Sequence, residues 1–296
     1  MPDHWTLRTE TFHFGSLPLL MGVVNVTPDS FSDGGRYLEP AAAIVHGLRL
    51  AAEGADLLDV GGESTRPGAA PVDVQEELHR VIPVIAGLCR QAAIPVSVDT
   101  SKAVVAREAI AAGAQAVNDV TALRGDPEML GVVVQSGAGV CAMHMQGTPR
   151  TMQSSPTYAS VVREVIAFLR GRRDVLTAAG VSWDRIALDP GIGFGKTVQH
   201  NLALLSNAWQ LHELGCPVLV GPSRKSFIRK VLSESGRVGP EEVDLTAGTI
   251  GVALALARQR VHILRVHDVA PVRQALTLFE ESGGLERTGE WATGGG

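Results

Sequence analysis

The feature that most constrains this chain is a recurrence. Eight short apolar, β-branched runs are spaced along nearly all of it, at 19–24, 56–60, 95–98, 116–118, 139–144, 186–188, 218–220 and 262–266. Several are apolar at almost every position, as parallel strands covered on both faces require. Between them lie Ala-rich stretches with helical spacing, at 40–53, 74–91, 101–111, 158–179, 199–214 and 241–258. Punctuation agrees with this reading: Ser101 is placed to cap the third helix, Gly54 and Gly180 to end theirs, and Pro40 and Pro127 to open helices. Eight strands alternating with helices predict an α/β chain folded as a single (β/α)₈ barrel, the TIM-barrel architecture. A doubly wound sheet would want fewer strands and a topological switch point. No composition shift or long polar linker divides the 296 residues. One domain is therefore expected over 1–296, with a short N-terminal extension and a frayed tail from about 284.

Composition narrows the function classes. A chain that is 45% hydrophobic and 19% charged can build a core, which excludes intrinsic disorder. The formal net charge of −5 argues against a general grip on nucleic acid, while local basic clusters can still hold a small anion. The longest apolar runs, 17–24 and 251–257, fall short of the ~18 residues of a membrane span. The first ten residues mix charges and carry no apolar signal region. Cys89, Cys141 and Cys216 are scattered without CxxC spacing, which suits buried free thiols in a reducing compartment. A soluble cytoplasmic protein, with neither a nucleic acid nor a membrane as partner, is the expectation.

The informative polar residues follow the strands. The first run leads into Asn25-Val-Thr27-Pro-Asp29-Ser-Phe31-Ser-Asp33-Gly-Gly35, and the second carries Asp59 and leads into Gly61-Gly-Glu63-Ser-Thr65-Arg66-Pro67-Gly68. The next four end in Asp99-Thr100, Asn118-Asp119, His144-Met-Gln146 and Asp189-Pro-Gly191-Ile-Gly193-Phe-Gly195-Lys196. The last two end in Ser223-Arg224-Lys225-Ser226 and Arg265-Val-His267-Asp268. One Asp after one strand is a cap or a turn residue; eight polar strand ends mark the face on which barrel enzymes build their sites. Ser223-Arg-Lys-Ser226 opens a helix, where backbone N–H groups and basic side chains together suit an anion. Arg265 and His267, at alternate positions, project to one side and can add charge there.

Three other chemistries fail on spacing. A nucleotide loop ending at Lys196 would need glycine where Pro190 stands, and the Gly191–Gly195 run is not G-x-G-x-x-G. His144 lacks the partner spacing of a zinc site. No G-x-S-x-G elbow is present, which weakens a hydrolase reading.

Taken together, Asn25-Val-Thr-Pro-Asp-Ser-Phe-Ser-Asp-Gly34, Gly61-Gly-Glu-Ser-Thr-Arg-Pro-Gly68, Asp189-Pro-Gly-Ile-Gly-Phe-Gly-Lys196, Ser223-Arg-Lys-Ser226 and Arg265-Val-His267 resemble the dihydropteroate synthase family, from about residue 19 to 272. The resemblance implies a pterin-binding TIM barrel that joins 4-aminobenzoate to 6-hydroxymethyl-7,8-dihydropterin diphosphate, releasing diphosphate and 7,8-dihydropteroate for folate synthesis. It implies that Asp99, Asn118, Asp189 and Lys225 surround the pterin, with Met143 and Phe194 as apolar neighbours. Asn25 would help hold Mg²⁺ on the diphosphate, and Arg66, Arg265 and His267 would contact its phosphates. Thr65, Pro67, Phe31, Lys225 and Ser226 would frame the aminobenzoate, with Ser223 opening the same anion-binding turn. Catalytic weight would fall on Asp99, Lys225, Arg265 and His267. A homodimer and competition by sulfonamides are implied as well. Two alternatives share the barrel: a pterin-dependent methyltransferase domain, whose methyl donor has no diphosphate to need the basic residues, and a non-catalytic pterin-binding paralogue.

Overall fold

In the computed structural model, described for residues 1–27, 39–65, 68–148 and 150–285, each expected run forms a strand. A short hairpin comes first, β1 (His4–Thr6) against β2 (Thr11–His13). The barrel strands follow as β3 (Leu19–Asn25), β4 (Leu57–Gly61), β5 (Val96–Asp99), β6 (Ala116–Asp119), β7 (Gly139–Met143), β8 (Ile186–Asp189), β9 (Leu219–Val220) and β10 (Ile263–Val266). All eight are parallel, in the order β8-β7-β6-β5-β4-β3-β10-β9. A bridge from Leu188 to Val218 closes the ring, and there Leu188 N–H donates to the Pro217 carbonyl at 2.8 Å. Neighbours in sequence are neighbours in the ring because each crossover helix packs back onto the strands it joins.

The helices are α1 (Glu39–Ala52), α2 (Val74–Gln91), α3 (Ala103–Ala111), α4 (Met129–Ser136), α5 (Val161–Ala178), α6 (Val198–Ser206), α7 (Ser226–Glu234), α8 (Leu245–Arg258) and α9 (Val269–Glu281). Their apolar faces and the outward-pointing strand residues form one continuous shell, including Leu20, Val24, Leu58, Val98, Val117, Val140 and Leu264. Three boundary expectations need correction. Ser101 does not cap α3; Asp126 reaches across to accept the Ala103 N–H at 2.9 Å, a cap no local pattern announces. The expected helix 199–214 breaks at Asn207 into α6 and a 3₁₀ segment over Ala208–Leu214, and the Asn207 amide bonds the Ala203 carbonyl at 2.9 Å. The helix expected from 241 begins at Leu245, because Asp244 accepts the Thr246 and Ala247 N–H groups and so sets the start there.

The N-terminal extension is a plug. Trp5 and Leu7 join Met21, Leu57, Ala116, Cys141, Ala187, Leu219 and Ile263 in an apolar cluster across the lower end of the barrel. The Trp5 indole N–H donates to the Arg185 carbonyl at 3.1 Å, which satisfies its one polar atom under full burial. Cys89, Cys141 and Cys216 are free. Among the described residues no helix is long and apolar enough to cross a membrane. The tail from 286 lies outside the described residues.

Candidate active site

Strand alternation carries the lower cluster into a polar mouth. Leu57, Ala116, Cys141, Ala187 and Ile263 face inward at the bottom. Side chains two positions on face the same way, and those are Asp59, Asn118, Met143, Asp189 and Arg265. Asn25, in phase with Met21, ends β3 at the same rim, and Asp99 ends β5.

Asp59 is the hub of the mouth and is fully buried. Its Oδ1 accepts the Ser97 hydroxyl at 2.5 Å, and its Oδ2 accepts Asn118 Nδ2 at 2.9 Å and Arg265 Nε at 2.6 Å. Arg265 Nη2 donates to Asp99 at 2.8 Å. One guanidinium thus ties two carboxylates from neighbouring strands, a charge-assisted arrangement with a fixed plane. Burial pushes the Asp99 carboxyl up to about 7, Arg265 opposes the rise, and Asp59 and Glu77 add to it. Asn118 must turn its N–H₂ toward Asp59, so its carbonyl oxygen remains for a partner above.

The loop after β8 forms the second wall. Gly191 N–H donates to Asp189 at 2.6 Å, and burial raises this carboxyl to about 6 against that bond and the nearby Lys225. Close approach to the neighbouring backbone requires glycine at two positions of the run. A Cβ on Gly191 would sit 1.9 Å from the His144 carbonyl oxygen, and one on Gly195 2.4 Å from that of Gln146. Gly193 N–H is held by Asn201 at 2.7 Å. The loop therefore lies directly on the end of β7 and presents Phe194 to the mouth, beside Val120, Met143, Met145 and Met152. Lys225 Nζ stands 4.1 Å above the centre of the Phe194 ring. Burial pulls this ammonium down to about 8; Arg265 acts the same way, and Asp189 and Asp99 oppose. Lys196 is buried beneath, donating to the Phe194 carbonyl at 2.9 Å and lying 3.0 Å from His144 Nδ1. It fastens the loop from below.

The basic turn forms the third wall. Ser226 begins α7, and Arg224 takes a left-handed conformation (φ 55°). Thr249 accepts its N–H at 3.1 Å, and its guanidinium grips Asp268 through Nε at 2.9 Å and Nη2 at 2.5 Å. Buried Ser223 meets both the backbone N–H and Nδ1 of His267, at 3.2 and 3.1 Å. At His267 burial, then Arg265, Arg224 and Lys225, press the pKa down to about 3, which favours the uncharged ring. Its Nδ1 is engaged by Ser223, so the ring serves the mouth through hydrogen bonds.

The structure brings together Asn25, Asp99, Asn118, Met143, Asp189, Phe194, Ser223, Lys225, Ser226, Arg265 and His267 around the upper rim. Thr65 lies to one side, lining a cavity of about 130 Å³ with Glu63, Glu77, Asp99, Val120 and Met145. Phe31, Arg66 and Pro67 lie outside the described residues. Sequence reasoning noted Asp59 without giving it a place in the site. Its signal was a carboxylate in the inward phase of an otherwise apolar strand. It also passed over Val120, Met145 and Met152, which no polar motif marks. Asn25 offers one neutral, hard oxygen at the rim, and among the described residues no group of three or more His, Cys, Asp or Glu side chains is gathered to hold a metal ion. That donor set suits a Mg²⁺ ion carried largely by a phosphate ligand and water.

Comparison with known proteins places this geometry. Residues 21–267 match the model of the pterin binding enzyme family. The chain is 44% identical over 265 residues to the dihydropteroate synthase of Escherichia coli strain K12, covering 90% of this chain and 92% of that one. The Xanthomonas albilineans dihydropteroate synthase solved with 4-aminobenzoic acid superposes with a TM-score of 0.86 at 47% identity, over 95% of this chain and 98% of that one. The Yersinia pestis dihydropteroate synthase, solved as a sulfonamide drug complex, gives 0.85 at 42% identity, over 95% and 99%. With the matched family spanning the strands that carry Asp59, Asp99, Asn118, Asp189 and Arg265, the chain belongs to the pterin-binding dihydropteroate synthases.

Proposed function

We propose that the barrel mouth condenses 6-hydroxymethyl-7,8-dihydropterin diphosphate with 4-aminobenzoate, giving 7,8-dihydropteroate and diphosphate. The observation that carries this is the meeting of three carboxylates (Asp59, Asp99 and Asp189), one amide and two cations over an apolar wall. A pterin edge is a flat row of N–H donors, and Asp189 can accept two of them together. The Asn118 carbonyl and the Lys225 ammonium suit the remaining ring donors and acceptors, and Met143 and Phe194 cover the ring faces. Arg265, His267 and Arg66 are assigned to the diphosphate. Thr65, Ser226, Lys225, Phe31 and Pro67 are assigned to the aminobenzoate, whose carboxylate suits the first N–H groups of α7. Mg²⁺ bound through Asn25 would neutralise charge on the departing diphosphate.

In this reading the carbon–oxygen bond breaks first. Diphosphate takes the bonding electron pair, and the methylene carbon becomes a cation conjugated with the pterin. Asp99 supplies negative charge beside it, a fixed dipole where charge develops. The aryl nitrogen then donates its lone pair to form the carbon–nitrogen bond and loses one proton to diphosphate or water. An amine attacking a cation needs little help from a base. A neutral His267 fits this scheme as a donor to phosphate oxygen. Thr65, Pro67 and Phe31 would admit a sulfonamide in place of aminobenzoate, in keeping with the Yersinia pestis complex.

The support for one domain is the unbroken apolar shell under all the helices, and three unpaired thiols suit a cytoplasmic setting. Homodimer assembly rests on the family resemblance. The deciding experiment is diphosphate release coupled to a reporter with both substrates and Mg²⁺. Release that needs both substrates is expected; pterin binding with no release under any condition would make the chain a non-catalytic paralogue. Isotopic label in the bridging oxygen tests the order of steps. Scrambling with an aminobenzoate analogue lacking the amine is expected, and its absence from a formed ternary complex would favour direct displacement.

A further inference from the structure

One partly buried charge cluster behind the mouth holds neither substrate in the scheme above, and only its Glu77 reaches the chemistry, by adding to the rise of the Asp99 carboxyl. Lys102, which follows β5, donates through Nζ to Glu63 Oε2 and to Glu77 Oε2. Glu63 belongs to the segment after β4 and Glu77 to α2, so one ammonium ties three parts of the chain. The Glu77 side chain is 1% exposed, and its Oε1 has no hydrogen-bond partner among the described residues. The same segment is held twice more. Arg80 of α2 donates to the Gly62 carbonyl at 2.8 Å, and Glu63 Oε1 accepts the Val72 N–H at 3.3 Å. Gly62 lies so close to α2 that a Cβ there would come 2.7 Å from Val81. Two residues beyond Glu63 stands Thr65, and Glu63, Thr65 and Glu77 all line the cavity that reaches Asp99.

Two carboxylates placed this close repel each other unless a cation lies between them. Removing the cation leaves Glu77 buried and uncompensated, and pushes Glu63 outward. We propose that Lys102 is a positioning residue for aminobenzoate: by pinning Glu63 to Glu77 it sets where Thr65 sits over the cavity. The pterin, bound on Asp189, Asn118 and Lys225, does not depend on this pin. The inference rests on the assignment of Thr65 to aminobenzoate, which a control tests separately.

The test is steady-state kinetics on the full chain with both substrates, paired with calorimetry using a pterin that lacks phosphate. Lys102→Met strands the buried Glu77 charge and can impair folding. The informative proteins are therefore Lys102→Met combined with Glu77→Gln, which removes that charge with its partner, and the milder Glu63→Gln. In the pair, KM for aminobenzoate should rise about tenfold or more while kcat, read at a pH well above the Asp99 value of about 7 that Glu77 helps to raise, stays within about threefold, as loss of uniform binding predicts. Glu63→Gln should give a smaller rise in the same KM. Pterin affinity should stay within about twofold in both. Restoring the cation as Lys102→Arg, with Glu77 intact, should return KM toward the wild-type value. An unchanged aminobenzoate KM in the folded pair, or a parallel loss of pterin affinity, overturns the proposal. Thr65→Val separates the two readings. If it raises KM and the Lys102 pair does not, the inference fails alone. If the pair raises KM and Thr65→Val does not, the assignment of Thr65 falls, and the inference that rests on it is overturned with it.

Discussion

The two ends of the barrel interior are made by the same strands and differ in what two residues along each strand supply. At the lower end Leu57, Ala116, Cys141, Ala187 and Ile263 pack on Trp5 without a single charge. Two positions further, roughly 7 Å up the strand, stand Asp59, Asn118, Met143, Asp189 and Arg265. The lower layer gains by leaving water. The upper layer gives up that gain and holds carboxylates above their ordinary range, Asp99 near 7 and Asp189 near 6. Backbone alternation fixes which residues point inward; residue type alone decides whether a layer stabilises or reacts. Stability and chemistry are therefore separable by depth in the barrel.

The sharpest way to break that division is at the bottom. Trp5→Ala should remove about 3–5 kcal/mol of stability, read from urea unfolding, while the folded protein keeps its pterin affinity. A loss of affinity without loss of stability would show that the plug shapes the mouth. At the top, Asp189→Asn should weaken pterin binding by about 2–4 kcal/mol, because the amide meets ring donors with a donor. Its effect on stability has the opposite sign. The folded pKa near 6 lies above the ordinary carboxylate value of 3.8, so ionisation at pH 7 costs stability that the amide does not lose. A raised unfolding temperature with abolished binding would be the clearest signature, and calorimetry with near-unchanged affinity would remove Asp189 from ring recognition.

Arg265→Ala and His267→Ala come next. Both should lose affinity for the pterin diphosphate while sparing a pterin without phosphate. Arg265→Ala should also lower stability, since it strands Asp59 and Asp99, whereas His267→Ala, removing a neutral ring, should lower it little. Equal losses for the two ligands would place these side chains in ring recognition or folding. The smallest effect is on pH. If Asp99 must be ionised to face the cation, kcat/KM should fall by about tenfold per pH unit below its pKa, near pH 7. That limb should be absent in Asp99→Asn, and a limb that persists there belongs to another group.

Much of this is legible in the amino-acid sequence. The (β/α)₈ alternation and the polar strand ends follow from short-range patterns, period two in the strands and 3.6 in the helices, which each segment carries by itself. The rim residues Asp99, Asn118, Asp189 and Arg265 could be placed because a strand that is apolar until its last inward positions announces its own end. Asp59 was visible as a residue and invisible as a hub, since its partner Arg265 stands 206 positions away and closure of the ring alone brings them together.

By itself, then, the sequence determined the repeat, the inward phase and the list of groups that reach the rim, because those depend on spacing within one segment. Tertiary structure decided how the groups act on one another. It set Arg265 between two carboxylates, pressed His267 into its neutral form, and laid the Gly191–Gly195 run against the end of β7, where a Cβ has no room. It also turned the expected N-terminal extension into the barrel's floor, because an apolar ring of strand ends cannot stay open to water. Burial and electrostatic coupling are sums over neighbours from distant segments, and the neighbours exist only once the barrel has closed.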